Sequence, residues 1–349
     1  MRARVKVVLT AVIFLAVGSG VVSAKGPDWK GYAGKPDDWY RSADGTTIAT
    51  NVLSHQATRG DWPKNGDTAT RPYVGDRAKL VGTFDNGATV DEVRFLARAF
   101  RATGRPEYGN AVLKAIDQIL EAQYPTGGWP QSHPPGKQYH RHITFNDGTM
   151  VHLMDLLREV ASSDRFGFVD DARKTAARKA FDAGVACILK CQVVVGGEKT
   201  VWCAQHDEVT LAPRPARTFE LVSLSGSESA GILTLLMSLD KPSPAVIEAV
   251  ESGTRWFDAV KLTGIRQTQA GGDKVIVTDK DAPPLWARFY EIGTNRPIFA
   301  GRDGVKTYDM AEIEPERRNG YSWYGNWGAG VAERSARWKA RLERSGVTR

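Results

Sequence analysis

The sequence predicts a mainly α chain arranged as an α/α barrel or toroid, and three observations carry that reading. Most of residues 44–260 place apolar side chains at helical spacing, in segments separated by polar loops. A turn recurs with the helices: "SHQATRGDWPKNGD" (54–67), "EAQYPTGGWPQSHP" (121–134) and "KCQVVVGGEKTVWCAQHDE" (190–208) each leave a helix with Gln and pass through glycine to tryptophan. Trp62, Trp129 and Trp202 are spaced by 67 and 73 residues, the length of a helix pair with its loop. Val- and Ile-rich runs are short, so any sheet is minor. On this plan the Trp-bearing loops fall on one face and gather around a common groove.

Each element follows from local pattern. "DEVRFLARAFRATG" is a helix that stops at Gly104, and "PEYGNAVLKAIDQILEAQ" begins another at Pro106. "TMVHLMDLLREVAS" (149–162) and "VDDARKTAARKAFDAGVACILKCQ" (169–192) repeat the arrangement, and "SESAGILTLLMSL" and "SPAVIEAVESGTRWFDAVK" follow. The helices are expected in consecutive antiparallel pairs. The tail differs. "KVIVTDKDAPPLWARFYEIGTNRPIFAGRDG" is rich in Pro, Gly and aromatics and reads as extended segments and turns. "ERRNGYSWYGNWGAG" clusters aromatic and amide side chains near Tyr324. The toroid is therefore expected over about residues 40–260, with a minor irregular or β region over about 261–349 lining the groove.

The first residues read as an export signal. Arg2, Arg4 and Lys6 precede an apolar run from Val7 to about Val22, and Val22-Ser23-Ala24 supplies small residues for cleavage. Residues 1–24 are accordingly expected to be a signal peptide, directing secretion to the periplasm or the medium. No later stretch is long and apolar enough to span a bilayer. Removing those residues takes away three positive charges, so the net charge falls from +7 to +4. That mild basicity suits an acidic ligand but is too weak to imply nucleic acid, and no long Lys/Arg block supports that partner. The remaining 325 residues, from a chain 42% hydrophobic, can bury a large core. A monomer is expected. Cys187, Cys191 and Cys203 are too few for a disulfide scaffold: a Cys191–Cys203 bridge and buried free thiols both fit the sequence.

Four polar clusters stand at helix or loop boundaries: "TFDNGAT" (83–89), "RHITFNDGT" (141–149), "RPARTFELVSLSGSES" (214–229) and "FAGRDG" (299–304). Asp85-Asn86-Gly87 and Asn146-Asp147-Gly148 each fit a turn that caps a following helix. Their duplication one repeat apart adds a second reading, in which both face one groove and share a hard cation such as calcium. Arg217 and Arg302 sit in loops beside apolar partners, as exposed salt bridges or as ligand-holding groups. Acidic ligands, arginines and tryptophans around one groove suit a polymer of sugar acids. Aromatic faces stack on pyranose rings, and guanidinium groups grip carboxylates with two hydrogen bonds.

These clusters, with "GGWPQ" and "GYSWYGNW", resemble the family 10 polysaccharide lyases, the calcium-dependent pectate lyases, over roughly residues 37–330 with the motifs in order. The resemblance implies an (α/α)3 toroid with a long open groove and endo-acting β-elimination on polygalacturonate. It implies Arg217 of "PARTFE" as the catalytic base, Asp147 and Asp85 as calcium ligands, and Arg302 of "GRDG" as a clamp on a substrate carboxylate. Lys64, Asp85, Asn86, Trp129, Arg141, His142 and Tyr324 are the accompanying candidates for substrate contact. Two departures stand out. Gly148-Thr149 occupies the place of a frequent Asp-Ala, and "TFELVSLSG" replaces a more usual Tyr-Glu-Pro-Pro, so metal shell and subsite contacts are expected to differ there.

Elimination must remove the C5 proton of a uronate, which is barely acidic beside a carboxylate already negative. Calcium and Arg302 on that carboxylate would stabilise the charge that develops. Arginine is an awkward base, with a pKa above about 12, unless neighbouring cations disfavour its charged form. His140 and His142 flank Arg141 and read as structural or substrate-contact groups rather than bases. No HExxH or Cys/His set marks a transition-metal centre, and "LSGSES" lacks nucleophile-elbow spacing. The rival readings are an inverting glycoside hydrolase using Asp85 and Asp147, a terpenoid cyclase on the same α/α plan, and a non-catalytic binder of acidic glycans.

Overall fold

The computed structural model describes residues 26–344, and the expected signal peptide lies outside them. Eleven helices occur among the described residues: α1 (Trp29–Ala33), α2 (Asp37–Arg41), α3 (Ala43–Ser54), α4 (Val90–Thr103), α5 (Pro106–Glu121), α6 (Thr149–Ser162), α7 (Asp171–Cys191), α8 (Gly226–Met237), α9 (Pro244–Ala259), α10 (Pro315–Asn319) and α11 (Trp327–Arg344). Their ends carry the expected punctuation. Thr89 and Glu92 form a capping box that opens α4, and Gly104 closes it at φ 69°. Pro106 and Pro244 start α5 and α9, where a missing N–H costs nothing. Asp170 caps α7 by accepting from the Arg173 N–H at 2.9 Å.

The helices make two layers. Helices α4, α6 and α8 contact one another in succession, and α5, α7 and α9 do the same on the other side. Consecutive members of the layers pair: α4 with α5, α6 with α7, α8 with α9. Helix α3 starts the array against α4 and α5, and α11 ends it against α8 and α9, in an arc that does not close into a barrel. Between the layers lies the core, with Leu96, Ile116, Leu153, Leu157, Ile188, Leu236 and Val250 fully buried. Among the described residues the short strands form only two-stranded pairs, the longest being the hairpin Ile265–Ala270 with Asp273–Thr278.

The Gln-to-Trp turns prove to be the joints of this array. Gln56 bridges the Gly60 and Ala111 carbonyls at 2.9 Å, Gln123 those of Gly127 and Ala180, and Gln192 those of Thr200 and Ala249. Each amide thus ties the end of one outer helix to the next. Trp62, Trp129 and Trp202 are fully buried, and their indole N–H groups donate back to the carbonyls of Val52, Ile119 and Ile188. Trp286 repeats the pattern on the Phe257 carbonyl. The expectation that these tryptophans gather around a groove is therefore corrected. An indole in the helix interface removes far more apolar surface from water than one on a loop, and its N–H finds an otherwise unused helix-end carbonyl.

One further expectation changes. The irregular tail contains α11, an 18-residue helix whose Val331, Trp338 and Leu342 are buried. Of the two readings left open for the cysteines, the structure has the buried free thiols: all three are free and buried, and no Cys191–Cys203 bridge forms. No helix among the described residues is long and apolar enough to cross a membrane.

Candidate active site

The site is built where the Trp segments meet the starts of the inner helices. The N–H groups of Thr83, Thr144 and Ser225 donate to the carbonyls of Trp62, Trp129 and Trp202 at 3.0, 3.0 and 2.7 Å. Each pairing delivers the chain to the N-terminus of α4, α6 or α8. In the first two the approach bends through left-handed backbone: Asn86 at φ 55° before Gly87 at 78°, and Asp147 at φ 51° before Gly148 at 74°. Asn and Asp tolerate that region better than most residues. Asp147 thus holds the place of Asn86, and Asn146 that of Asp85. The two turns touch one another, and each brings one acid to the contact, the swap of Asp and Asn offsetting the two by one position.

Both acids are engaged. Asp85 is 2% exposed; one carboxylate oxygen is bound by Lys64 Nζ, and Oδ1 is buried without a partner. Asp147 accepts from Arg288 Nη2 at 3.2 Å through Oδ1 and from the Asn146 amide at 2.9 Å through Oδ2. Its pKa is raised, by burial first and then by the charges of Glu228 and Asp85, against the pull of Arg288. Arg288 Nη2 also donates to Asn146 Oδ1 at 3.3 Å and to the buried Glu228, whose own N–H donates to the Ser225 hydroxyl that caps α8. Burial works against the Arg288 charge, but Glu228, Tyr321 and Asp147 hold its pKa above the ordinary value.

Arg217 lies beside this pair. Its Nε donates to Glu220 Oε2 at 2.8 Å and its Nη2 to Oε1, a two-bond grip that raises its pKa. The Tyr321 hydroxyl donates to the same Oε1 at 2.6 Å. Guanidinium groups surround the rings beneath: Arg217, Arg302 and Arg317 stand 4.8, 5.4 and 4.4 Å from the centre of Phe219. Arg302 is exposed and paired with Glu316 at 3.0 Å.

Two open cavities share Arg217. One, of about 380 Å³, is lined by Asp147, Lys274, Arg288 and Tyr321; the other, of about 600 Å³, by Lys137, Tyr139, Arg141 and His142. The charged side chains lining both are cationic apart from Asp147, the acid among the lining residues. Arg141 and His142 both reach Glu208, His142 through Nδ1 at 3.0 Å. His142, Asp207 and Glu208 come within metal-ligand range of one another, but Arg141 and Arg214 already occupy the carboxylates.

Most sequence candidates therefore converge: Lys64 with Asp85, Asn86 exposed on the same turn beside Asn65 at 3.4 Å, Asp147, Arg217, and Arg302 within electrostatic reach of it. Trp129 does not, being wholly in the core. Tyr324 lines neither cavity and packs on Phe299 with ring centres 5.4 Å apart, where neighbouring aromatics offer more contact than solvent. Four residues were missed: Glu220, Lys274, Arg288 and Tyr321. Arg288 had a signal, since it stands two places after Trp286 as Lys64 stands two after Trp62.

The chain is similar to known lyases. A family model described as pectic acid lyase matches residues 56–332. A variant of the family 10 polysaccharide lyase from Cellvibrio cellulosa, in complex with trigalacturonic acid, superposes with a TM-score of 0.78 at 35% identity, covering 90% of this chain and 99% of that one. The family 10 polysaccharide lyase from the same organism gives 0.79 at 36%, covering 88% and 97%. No match was found among curated proteins.

Proposed function

The chain belongs to the pectic acid lyase family, the family 10 polysaccharide lyases, and from that premise we propose a specific reaction. It cleaves α-1,4-linked polygalacturonate by calcium-assisted β-elimination, with Arg217 as base, and releases 4,5-unsaturated oligogalacturonides. The observation that carries this is the placement of Arg217 between two basic cavities with the Asp147–Arg288 pair beside it. A polyanion laid across both cavities meets Lys137 and Arg141 on one side of Arg217 and Lys274 and Arg288 on the other. Arg302, above Phe219, is a further carboxylate clamp.

The donor set fits calcium in kind. It is all oxygen, with Asp85 Oδ1 orphaned and the Asp147 side chain about one-third exposed at the cavity. Lys64, Asn146 and Arg288 take the other carboxylate oxygens, so carboxylates of the polymer must complete the shell. When bound there, calcium neutralises a uronate carboxylate and makes the neighbouring C5 proton more acidic.

The chain's own residues do the rest. Arg288 and Lys274 hold the acid group of the reacting sugar, and Arg217, once it has given up a proton to solvent, takes the C5 proton on Nη1. The C5–H electron pair becomes the C4–C5 double bond as the C4–O4 bond breaks. O4 leaves with its bonding pair and is protonated by water, and Arg217 returns its proton to solvent. Because Glu220 favours the charged guanidinium, the rate should climb with pH into the alkaline range. Secretion through residues 1–24 would bring the enzyme to a substrate that cannot enter a cell.

The test is ultraviolet absorbance of a 4,5-unsaturated uronide, followed as residues 25–349 act on polygalacturonate with calcium and then with a chelator. A calcium-dependent rise that Arg217→Ala abolishes is expected. Cleavage without that absorbance would mean hydrolysis and overturn the proposal.

A further inference from the structure

The grip on Arg217 is tighter than a surface ion pair. Its backbone N–H donates to Glu220 Oε2 at 3.1 Å, and the Glu220 N–H returns a 2.7 Å bond to the Arg217 carbonyl. With the bonds from Nε and Nη2, the four-residue turn is closed on itself. Glu220 is 4% exposed and is pinned from outside by the Tyr321 hydroxyl. One edge of the guanidinium is thereby fixed, and Nη1, which makes no hydrogen bond among the described residues, is the free nitrogen of a side chain that lines both cavities.

We propose that Glu220 is a positioning residue for Arg217: its buried carboxylate, anchored by Tyr321, aims Nη1 at the substrate and sets the pH at which that nitrogen accepts a proton. This rests on the reading of Arg217 as the base. The environment makes Glu220 decisive. Arg302 and Arg317 share the Phe219 ring with Arg217, and Tyr139 and Tyr321 lie near it. Lys274, Arg288 and Asp147 line the cavity on one side, and Lys137, Arg141 and His142 line it on the other. Among the described residues Glu220 is the carboxylate that pairs with Arg217; without its charge the guanidinium faces mainly cations, which disfavour protonation. The carboxylate thus exchanges ease of deprotonation for orientation, and orientation governs the rate of a proton transfer.

The experiment compares the pH dependence of kcat/KM on polygalacturonate with calcium for wild type, Glu220→Gln, Glu220→Asp and Arg217→Ala. Glu220→Gln, isosteric but neutral, should begin its alkaline rise about 1–3 pH units below wild type. Its limiting rate should fall on the order of tenfold through looser aim. Glu220→Asp keeps the charge and shortens the reach, so its profile should keep the wild-type shape while its rate falls. A Gln variant whose profile superimposes on wild type overturns the proposal, provided Arg217→Ala is inactive. If the Gln variant does not fold by circular dichroism, the Asp variant decides, and an unchanged kcat there overturns it. Activity retained in Arg217→Ala would instead sink the base assignment itself.

Discussion

Asp147 accepts a hydrogen bond from Arg288 at 3.2 Å although 141 residues separate them in the chain. The same guanidinium reaches Glu228 at the start of α8, so one cation ties the second repeat, the third and the tail. The segment after α9 therefore supplies part of the groove wall and is more than a cover over it.

Replacing Arg288 with Gln should damage both stability and activity. Glu228 is almost wholly buried, and removing its partner leaves an uncompensated charge, at a cost of about 3–5 kcal/mol. Urea midpoints with the m-value held constant would measure it. A double variant, Arg288→Gln with Glu228→Gln, should recover much of the stability but not the activity. If the double variant were as active as wild type, Arg288 would have no role at the groove.

Trp129→Phe should lower stability without changing substrate affinity in the molecules that remain folded. The indole N–H bond to the Ile119 carbonyl is lost, and a buried acceptor goes unpaired, for about 1–3 kcal/mol. Thermal melts and KM on the same preparation check it. A raised KM with an unchanged melt would return Trp129 to the groove.

That case shows where the sequence was legible. The six long helices from α4 to α9 could be read because Gly104, Pro106 and Pro244 punctuate them and their apolar faces keep a helical period. The duplicated Asp-Asn turns were readable as acids in equivalent places. Helix α11 was hidden because Gly328 and Gly330 fall in its first turn; Gly328 is there because a Cβ would lie 2.1 Å from the Trp286 ring. Tryptophan was misread because its chemistry suits both a sugar face and a core, and only the helix-end carbonyls decide between them. Arg288 has partners 60 and 141 residues away, a proximity that no local pattern encodes. Glu220, three residues from Arg217, was within reach of a local reading.

Asp147→Asn should weaken calcium dependence while leaving the fold intact. The amide keeps the size and can still accept from Arg288, but the anionic ligand is gone. The calcium concentration for half-maximal rate should rise by about 10–100-fold. Because burial already disfavours the Asp147 charge, the urea midpoint at neutral pH should not fall. An unchanged calcium midpoint would remove Asp147 from the metal shell.

Acid should loosen the site through His206. This imidazole is buried and neutral, donating from Nδ1 to the Leu211 carbonyl at 2.9 Å and accepting the Cys203 N–H on Nε2 at 3.1 Å. Burial pushes its pKa down to about 4, below the ordinary 6.5 of the unfolded chain. The unfolded state therefore takes up the proton first as pH falls. The stability involved is present above pH 6.5 and is lost on descent toward pH 4, by on the order of 3 kcal/mol. The effect reaches the groove because the nearby Ala204 carbonyl accepts both the Phe145 and Asn146 N–H groups at 2.9 Å, holding the Asp147 turn. Urea midpoints from pH 7 to pH 4 for wild type and His206→Gln test this: the variant starts less stable but should fall less steeply. Parallel curves would show that His206 is not the titrating group.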